Sequence, residues 1–327
     1  MFDIPASFAG ASTDDLATSD GRAGAGRYAP SPTGELHVGN LRTALLAWLF
    51  ARSTGRRFLL RIEDLDTARV RPGTADQQRA DLAALGITFD GEPVVQSQQL
   101  AAYQHALLKL ADRTYECFCS RREIAGAASA PHRSIARYPG TCRNLTEAER
   151  IDRRLRRQPA LRLRADGGVQ TVHDLLHGDV TAEVDDVVLL RNDGVPAYNL
   201  AVVVDDAFSG VDQVVRGDDL LPAAPTQAFL TDLLGYPPLS YAHVPLAVNT
   251  EGVRLAKRDG AVTLPDLAAL GMEPSAVLGL IAESLELASP GERISPDVLL
   301  RRFDPQRLPR RPWEVVAGNL TRDERQL

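Results

Sequence analysis

Hydrophobic positions in the first third of the chain alternate between two periods. Residues 26–29 read as a short buried strand, and Leu41, Leu45, Leu46 and Leu49 then recur at helical spacing, predicting a helix over 41–52. Arg57-Phe58-Leu59-Leu60-Arg61-Ile62 predicts a second strand, ending at Glu63-Asp64-Leu65-Asp66. Helical periodicity returns at 74–85 and 98–112, carried by Leu82, Leu85, Leu107 and Leu110. Strand, helix, strand, helix implies a parallel sheet covered by helices, with its active site at the carboxyl ends of the strands, where Ser31 and Glu63 fall.

The alternation then breaks. Residues 117–142 carry all three cysteines and a loop rich in Ala, Ser and Pro. Residues 143–158 predict an Arg-rich helix and 160–190 a set of short strands. The sheet pattern is expected to resume at Tyr198-Asn199-Leu200-Ala201-Val202-Val203-Val204-Asp205-Asp206 and to continue through Val214-Val215-Arg216-Gly217-Asp218-Asp219, before a helix at 223–234. The expected organisation is a tail at 1–23, a sheet-based domain at 24–245 with an insertion at about 117–190 (its cysteine-bearing subdomain at 117–142), and a C-terminal region at 246–327 containing a helical piece near 274–286. No internal repeat is visible.

Composition narrows the class. A chain of 327 residues with 44% hydrophobic content supports ordinary globular cores. No apolar run approaches the roughly 20 residues of a membrane span. The first 23 residues lack the basic start and apolar centre of a signal peptide, so a disordered tail on a cytoplasmic protein is expected. An odd number of cysteines argues against a disulfide framework. The net charge of −6 does not favour nucleic acid, yet arginines crowd 150–164 and 301–311. Those clusters read either as solvated faces or as a phosphate-backbone surface, and charge alone does not decide between them.

The chemistry centres on Arg27-Tyr28-Ala29-Pro30-Ser31-Pro32-Thr33-Gly34-Glu35-Leu36-His37-Val38-Gly39-Asn40. Two prolines and Gly34 fix a loop that runs into a helix start, where outward N–H groups and the helix dipole favour an anion. His37 at its mouth is placed to donate to a phosphate oxygen. Far downstream, Arg254-Leu255-Ala256-Lys257-Arg258 lies between Gly252 and Gly260, a basic loop suited to the other side of a phosphate clamp. Cys117 and Cys119 are two apart, pointing the same way from an extended strand, and Cys142 supplies a third sulfur. Structural zinc wants four ligands, and by chemistry alone His132 is the natural fourth.

Five blocks in order, at Arg27–Asn40, Arg61–Asp66, the Tyr198 segment, Arg216-Gly217-Asp218 and the Lys257 loop, resemble the signature regions of class I glutamyl-tRNA synthetases. Three features are similar to their short paralogues, the glutamyl-queuosine tRNA(Asp) synthetases. These are the length of the chain, which leaves no room for anticodon-binding domains, Ala197 and Leu200 around Tyr198, and a Cys-x-Cys pair followed by a tyrosine and a third cysteine. The resemblance implies a Rossmann-like α/β catalytic domain with a zinc-containing insertion. It implies activation of L-glutamate by ATP and transfer to the queuosine base in the anticodon of tRNA(Asp), by a monomer with no membrane partner. Carried over residue by residue, it places glutamate among Arg27, Tyr28, Ala29, Pro30, Ser31, Glu63, Tyr198 and Arg216. ATP with its Mg²⁺ falls to His37, Gly39, Asn40 and Lys257, with His37 and Lys257 catalytic. A structural zinc falls to Cys117, Cys119, Tyr138 and Cys142. The lysine loop departs from the pattern at Arg254 and Ala256, and Asn40 stands where many class I enzymes have a second histidine. The alternatives are a truncated glutamyl-tRNA synthetase acting on a tRNA 3′ end, a small-molecule nucleotidyltransferase, and an inactive zinc-containing tRNA-binding module.

Overall fold

The computed structural model describes residues 24–120, 122–124, 137–255 and 262–315. Its centre is a seven-stranded sheet. Strand β1 (Ala25–Tyr28) is fully buried and runs through the Pro30–Leu36 loop into helix α1 (Val38–Ser53). Twelve of the sixteen residues of α1 are buried, eleven of them uncharged and one an arginine, so this helix lies inside the molecule. Gly26 allows the close approach: a Cβ there would stand 2.9 Å from the Ala51 methyl. Strand β2 (Arg57–Ile62) pairs with β1 in parallel, as the pattern predicts. Helix α2 (Thr74–Ala84), the short strand β3 (Val94–Val95) and helix α3 (Leu100–Lys109) follow.

The middle of the chain builds two things. Strand β4 (Thr114–Cys117), helix α4 (Glu147–Arg154), strand β5 (Ala160–Leu163) and strand β8 (Val188–Leu190) form a small unit around a three-stranded sheet, β4-β5-β8. Between β5 and β8, a hairpin of β6 (Val169–Asp174) and β7 (Gly178–Glu183) leaves that unit and becomes the edge of the main sheet.

The segment Tyr198–Phe208 corrects an expectation. It is helix α5, not a resumption of the sheet. Leu200 to Asp206 are all buried, and a continuous apolar run reads the same in a buried strand as in a buried helix, so periodicity cannot separate them. The sheet resumes instead at β9 (Val211–Gly217), followed by a 3-10 turn at Asp218–Ala223, helix α6 (Ala224–Leu234) and β10 (Ser240–Val244). The order is β3-β2-β1-β9-β10-β6-β7, parallel except for the terminal hairpin. From β1 the chain winds outward through β2 and β3, while from β9 it winds the other way through β10. The crevice between the carboxyl ends of β1 and β9 is thus a topological switch point, where open α/β sheets bind ligands.

Beyond β10 come β11 (Ala247–Val248), α7 (Leu264–Ala269), α8 (Pro274–Ser284), α9 (Pro296–Arg302) and β12 (Trp313–Glu314), which pairs with β11. Their apolar faces (Leu267, Leu278, Ile281, Leu299) share one core with α1, and Phe50 meets Phe303 edge-to-face at 5.1 Å. Among the described residues no helix is long and apolar enough to cross a membrane. The tail at 1–23 lies outside the described residues.

Candidate active site and cysteine cluster

A cavity of about 840 Å³ opens at the switch point. Its walls bring together every expected glutamate and ATP residue that is described: Arg27, Tyr28, Ala29, Pro30, Ser31, His37, Gly39, Asn40, Glu63, Tyr198 and Arg216. Lys257 lies outside the described residues. Arg254, three residues before it in the chain, lines the cavity and pairs with Asp219. The arginine that departs from the family pattern therefore ties the root of that loop to the turn after β9.

The loop from Pro30 to Gly34 is held from behind. Gln78 on α2, almost fully buried, donates its amide N–H₂ to the carbonyls of Ser31 (3.1 Å) and Gly34 (2.6 Å). The Glu63 N–H donates to the Pro30 carbonyl at 3.0 Å, tying the end of β2 to the same loop. Sequence reasoning missed Gln78 because nothing in helical spacing distinguishes a buried amide from a solvated one.

His37 is the N-cap of α1. Its Nδ1 accepts the backbone N–H groups of Gly39 (3.1 Å) and Asn40 (3.3 Å), and Asn40 Oδ1 accepts the His37 N–H in return. This is a capping box with histidine in the serine role. It gives Asn40 a definite part, completing the cap without carrying charge. The Gly39 N–H, one of the helix-start groups expected to face an anion, is instead taken by the His37 ring. With Nδ1 accepting, a neutral ring carries its proton on Nε2, a donor suited to a phosphate oxygen. Glycine is needed at 39 for space: a Cβ would lie 2.8 Å from the Ala247 methyl and about 3 Å from the imidazole.

Behind the cavity floor sits a buried charge network that the sequence reading did not find. Asp206 on α5 accepts from Arg27 Nε (3.2 Å) and from Arg61 Nη1, and Arg61 also reaches Glu63 Oε1 (3.1 Å). Burial would raise the Asp206 carboxyl, but Arg61 and Arg27 outweigh it and hold it below the usual range. Asp205, accepting from Tyr103 OH and Gln96 Nε2 (both 2.7 Å), goes the other way: burial pushes it up to about 6 despite Arg61. The network orients Arg27 and Glu63 from below. Misreading α5 as a strand hid it, because alternation would have put Asp205 and Asp206 on opposite faces.

Arg216, at the end of β9, is buried and donates to His243 Nε2 (3.0 Å), Gln227 Oε1 (2.7 Å), the Leu220 carbonyl (3.4 Å) and Tyr198 OH (3.5 Å). Desolvation lowers its pKa, as expected for a cation out of water.

The second site is separate. Cys117, Cys119 and Cys142 bring their sulfurs within 4.8 Å of one another, with Cys119 and Cys142 at 3.6 Å. A tetrahedral zinc with bonds of ~2.3 Å sets sulfurs about 3.8 Å apart, so the cluster is pre-shaped for such an ion. Tyr138 OH stands 3.4 Å from Cys117 Sγ and 3.8 Å from Cys119 Sγ, in a fourth position. The Arg162 guanidinium stacks on the Tyr138 ring at 3.8 Å, and Arg153 Nη1 donates to Cys142 Sγ at 3.5 Å. Both arginines come from the Arg-rich stretch, and its neighbours Arg150, Arg154, Arg156 and Arg157 are paired with Glu147, Glu116, Asp152 and Glu123. Those charges are largely spent within the protein, which favours the solvated-face reading. His132 lies outside the described residues.

The comparisons with known proteins agree with this geometry. Residues 25–320 match the model of the family described as tRNA synthetases class I (E and Q), catalytic domain. A relative from Nocardia farcinica named glutamyl-Q tRNA(Asp) synthetase is 60% identical over 300 residues, covering 91% of this chain and 94% of its own. A relative of the same name from Cutibacterium acnes is 50% identical, covering 90% and 89%. Among solved structures, a glutamate-tRNA synthetase from Elizabethkingia anophelis superposes with a TM-score of 0.77 at 26% identity, over 90% of this chain and 68% of that one. A Rossmann-like sheet with its cavity at the switch point, the ordered motifs around it and these relatives lead to one conclusion: the chain belongs to the class I glutamyl and glutaminyl tRNA synthetase family, and is a ligase of that type.

Proposed function

We propose that the chain activates L-glutamate with ATP as glutamyl-adenylate and transfers it to the queuosine base in the anticodon of tRNA(Asp). The observation that carries this reading is Arg216: a buried guanidinium facing the cavity beside Tyr198 and held by neutral acceptors, which leaves its charge for an anionic amino acid. The names of the relatives supply the tRNA.

In this reading Arg216 and Arg27 hold the glutamate carboxylates, Glu63 pairs with the ammonium, and Tyr198 and Ser31 add hydroxyl contacts above Tyr28, Ala29 and Pro30. The glutamate α-carboxylate oxygen attacks the α-phosphorus of ATP, the new O–P bond forms, and pyrophosphate leaves with the electron pair of the broken one. Positioning and charge stabilisation do most of the work. His37 donates toward the α-phosphate from the helix start, Asn40 and Gly39 shape that start, Lys257 neutralises the departing phosphates, and Mg²⁺ arrives with ATP. Zinc, when bound by Cys117, Cys119, Cys142 and Tyr138, would supply a cross-link to a subdomain whose own core has five buried residues among those described. Thiols used as metal ligands fit a reducing compartment, so we place the enzyme in the cytoplasm.

The test is labelling. With ATP and labelled glutamate, tRNA(Asp) bearing queuosine is expected to take up label and tRNA(Asp) lacking it is not. Uptake that ignores queuosine and vanishes on periodate oxidation of the 3′ end would instead identify a 3′-end glutamyl-tRNA synthetase. Lys257→Ala is expected to slow adenylate formation roughly 10²–10³-fold with folding intact. A near-normal rate would sink the assignment of that lysine.

A further inference from the structure

Asp174, His243 and Arg216 stand in a buried line across three neighbouring strands, β6, β10 and β9, with His243 directly opposite Arg216 in the register. Asp174 Oδ1 accepts the backbone N–H groups of Leu176 (2.9 Å) and His177 (3.1 Å). Its Oδ2 accepts the His243 N–H (3.0 Å) and faces the ring Nδ1 at 2.6 Å. Three N–H donors on one carboxyl, with His243 added, favour its charged form, and the group lies below the usual carboxylate range even though burial opposes it. The ring nitrogen facing it therefore carries a proton. Arg216 Nε, 3.0 Å from Nε2, can only donate, so Nε2 must accept. The ring is neutral and in a single tautomer, and a second proton would set N–H against N–H.

Charge distribution in the cavity gives this line a purpose. Among the described residues, four arginines line the cavity. Arg27, Arg69 and Arg254 pair with Asp206, Asp66 and Asp219. Arg216 has no carboxylate within 4 Å among the described residues, although Asp174 lies one imidazole away. A carboxylate in place of the ring would orient the guanidinium equally well but would cancel its charge.

We propose that His243, locked by Asp174 as a neutral acceptor, is a positioning residue that aims Arg216 into the cavity while keeping its positive charge for the substrate carboxylate. The inference rests on the glutamate reading above. It adds a determinant of amino-acid affinity on a strand remote from the sequence motifs, with Asp174 contributed by the edge hairpin.

ATP–pyrophosphate exchange, titrated separately with glutamate and with ATP, tests it on the full chain. His243→Leu removes the acceptor and is expected to raise the glutamate KM about tenfold or more, the loss of one hydrogen bond to a charged group, with the ATP KM unchanged within about twofold. His243→Gln, whose amide oxygen accepts where Nε2 did, is expected to recover most of that affinity. Equal rises in both KM values, an unchanged glutamate KM in folded His243→Leu, or a glutamine variant no better than leucine would overturn the proposal. Should His243→Leu not fold, the ¹⁵N spectrum of the wild-type ring decides: Nδ1 protonated and Nε2 bare supports the relay, and a cationic ring or the other tautomer overturns it. Failure of the glutamate reading looks different, since wild-type exchange would then not depend on glutamate at all, whatever state the ring shows, and the proposal would fall with it.

Discussion

Single residues here do work that their neighbours in sequence do not announce. Asp205 is the sharpest case. Its carboxyl is pushed up to about 6 from 3.8 because burial outweighs Arg61 and two hydrogen bonds. The folded state therefore binds that proton more tightly than the unfolded chain, and the stability it contributes falls as pH rises from about 4 to about 6. Asp205→Asn removes the titration, so the variant is expected to gain on wild type between pH 4.5 and pH 7 by on the order of 1–3 kcal/mol. Urea midpoints at the two values check this, and a constant difference between the proteins would contradict it. At the cysteine cluster, Tyr138→Phe is expected to bind zinc at least tenfold more weakly in chelator competition, because a phenyl ring offers no oxygen. Zinc retained in that variant but lost from His132→Ala would transfer the fourth ligand to His132.

At the scale of elements, the site depends on how α1, α2 and α5 are held. The capping box at His37 sets where α1 begins, three residues before the first leucine of its periodic pattern. Gly39→Ala forces a methyl against Ala247 and the imidazole, so it is expected to cost about 1–3 kcal/mol in thermal or urea unfolding and to weaken ATP binding with it. Gln78→Ala frees the carbonyls of Ser31 and Gly34. The loop then samples other conformations, and KM for both substrates is expected to rise several-fold while kcat changes less. A variant with unaltered kinetics would mean that the two prolines and Gly34 suffice to fix the loop.

For the whole molecule, the sheet order explains why residues from distant stretches share one cavity. Strands β1 and β9 lie side by side although Gly26 and Gln213 are far apart in the chain, and β6 and β10 complete the row that carries Asp174 and His243. The small core of Tyr115, Cys117, Phe118, Tyr138 and Cys142 is separate from the main one. Metal removal by a chelator is therefore expected to open amides around 114–119 and 137–145 to hydrogen exchange while β1, β2 and β9 stay protected. Uniform loss of protection would show that the subdomain and the sheet unfold as one.

Patterning and motif chemistry made β1, α1, β2, α2, α3, α6 and α8 legible, and the family resemblance supplied eleven of the residues that line the cavity. Local periodicity and fixed motif spacing carry that information along the chain itself. Residues 198–206 were not legible, because a run buried on all sides loses the period that separates helix from strand. Nor were Gln78, the Asp205–Asp206 network and the Asp174–His243–Arg216 line, whose members meet through buried hydrogen bonds between elements remote in sequence. The amino-acid chain by itself determined which groups are available for the proposed glutamate and ATP. Tertiary structure decided which of their charges are neutralised from behind and which, as at Arg216, are left for a substrate, because that depends on neighbours brought in by sheet order and not by spacing along the chain.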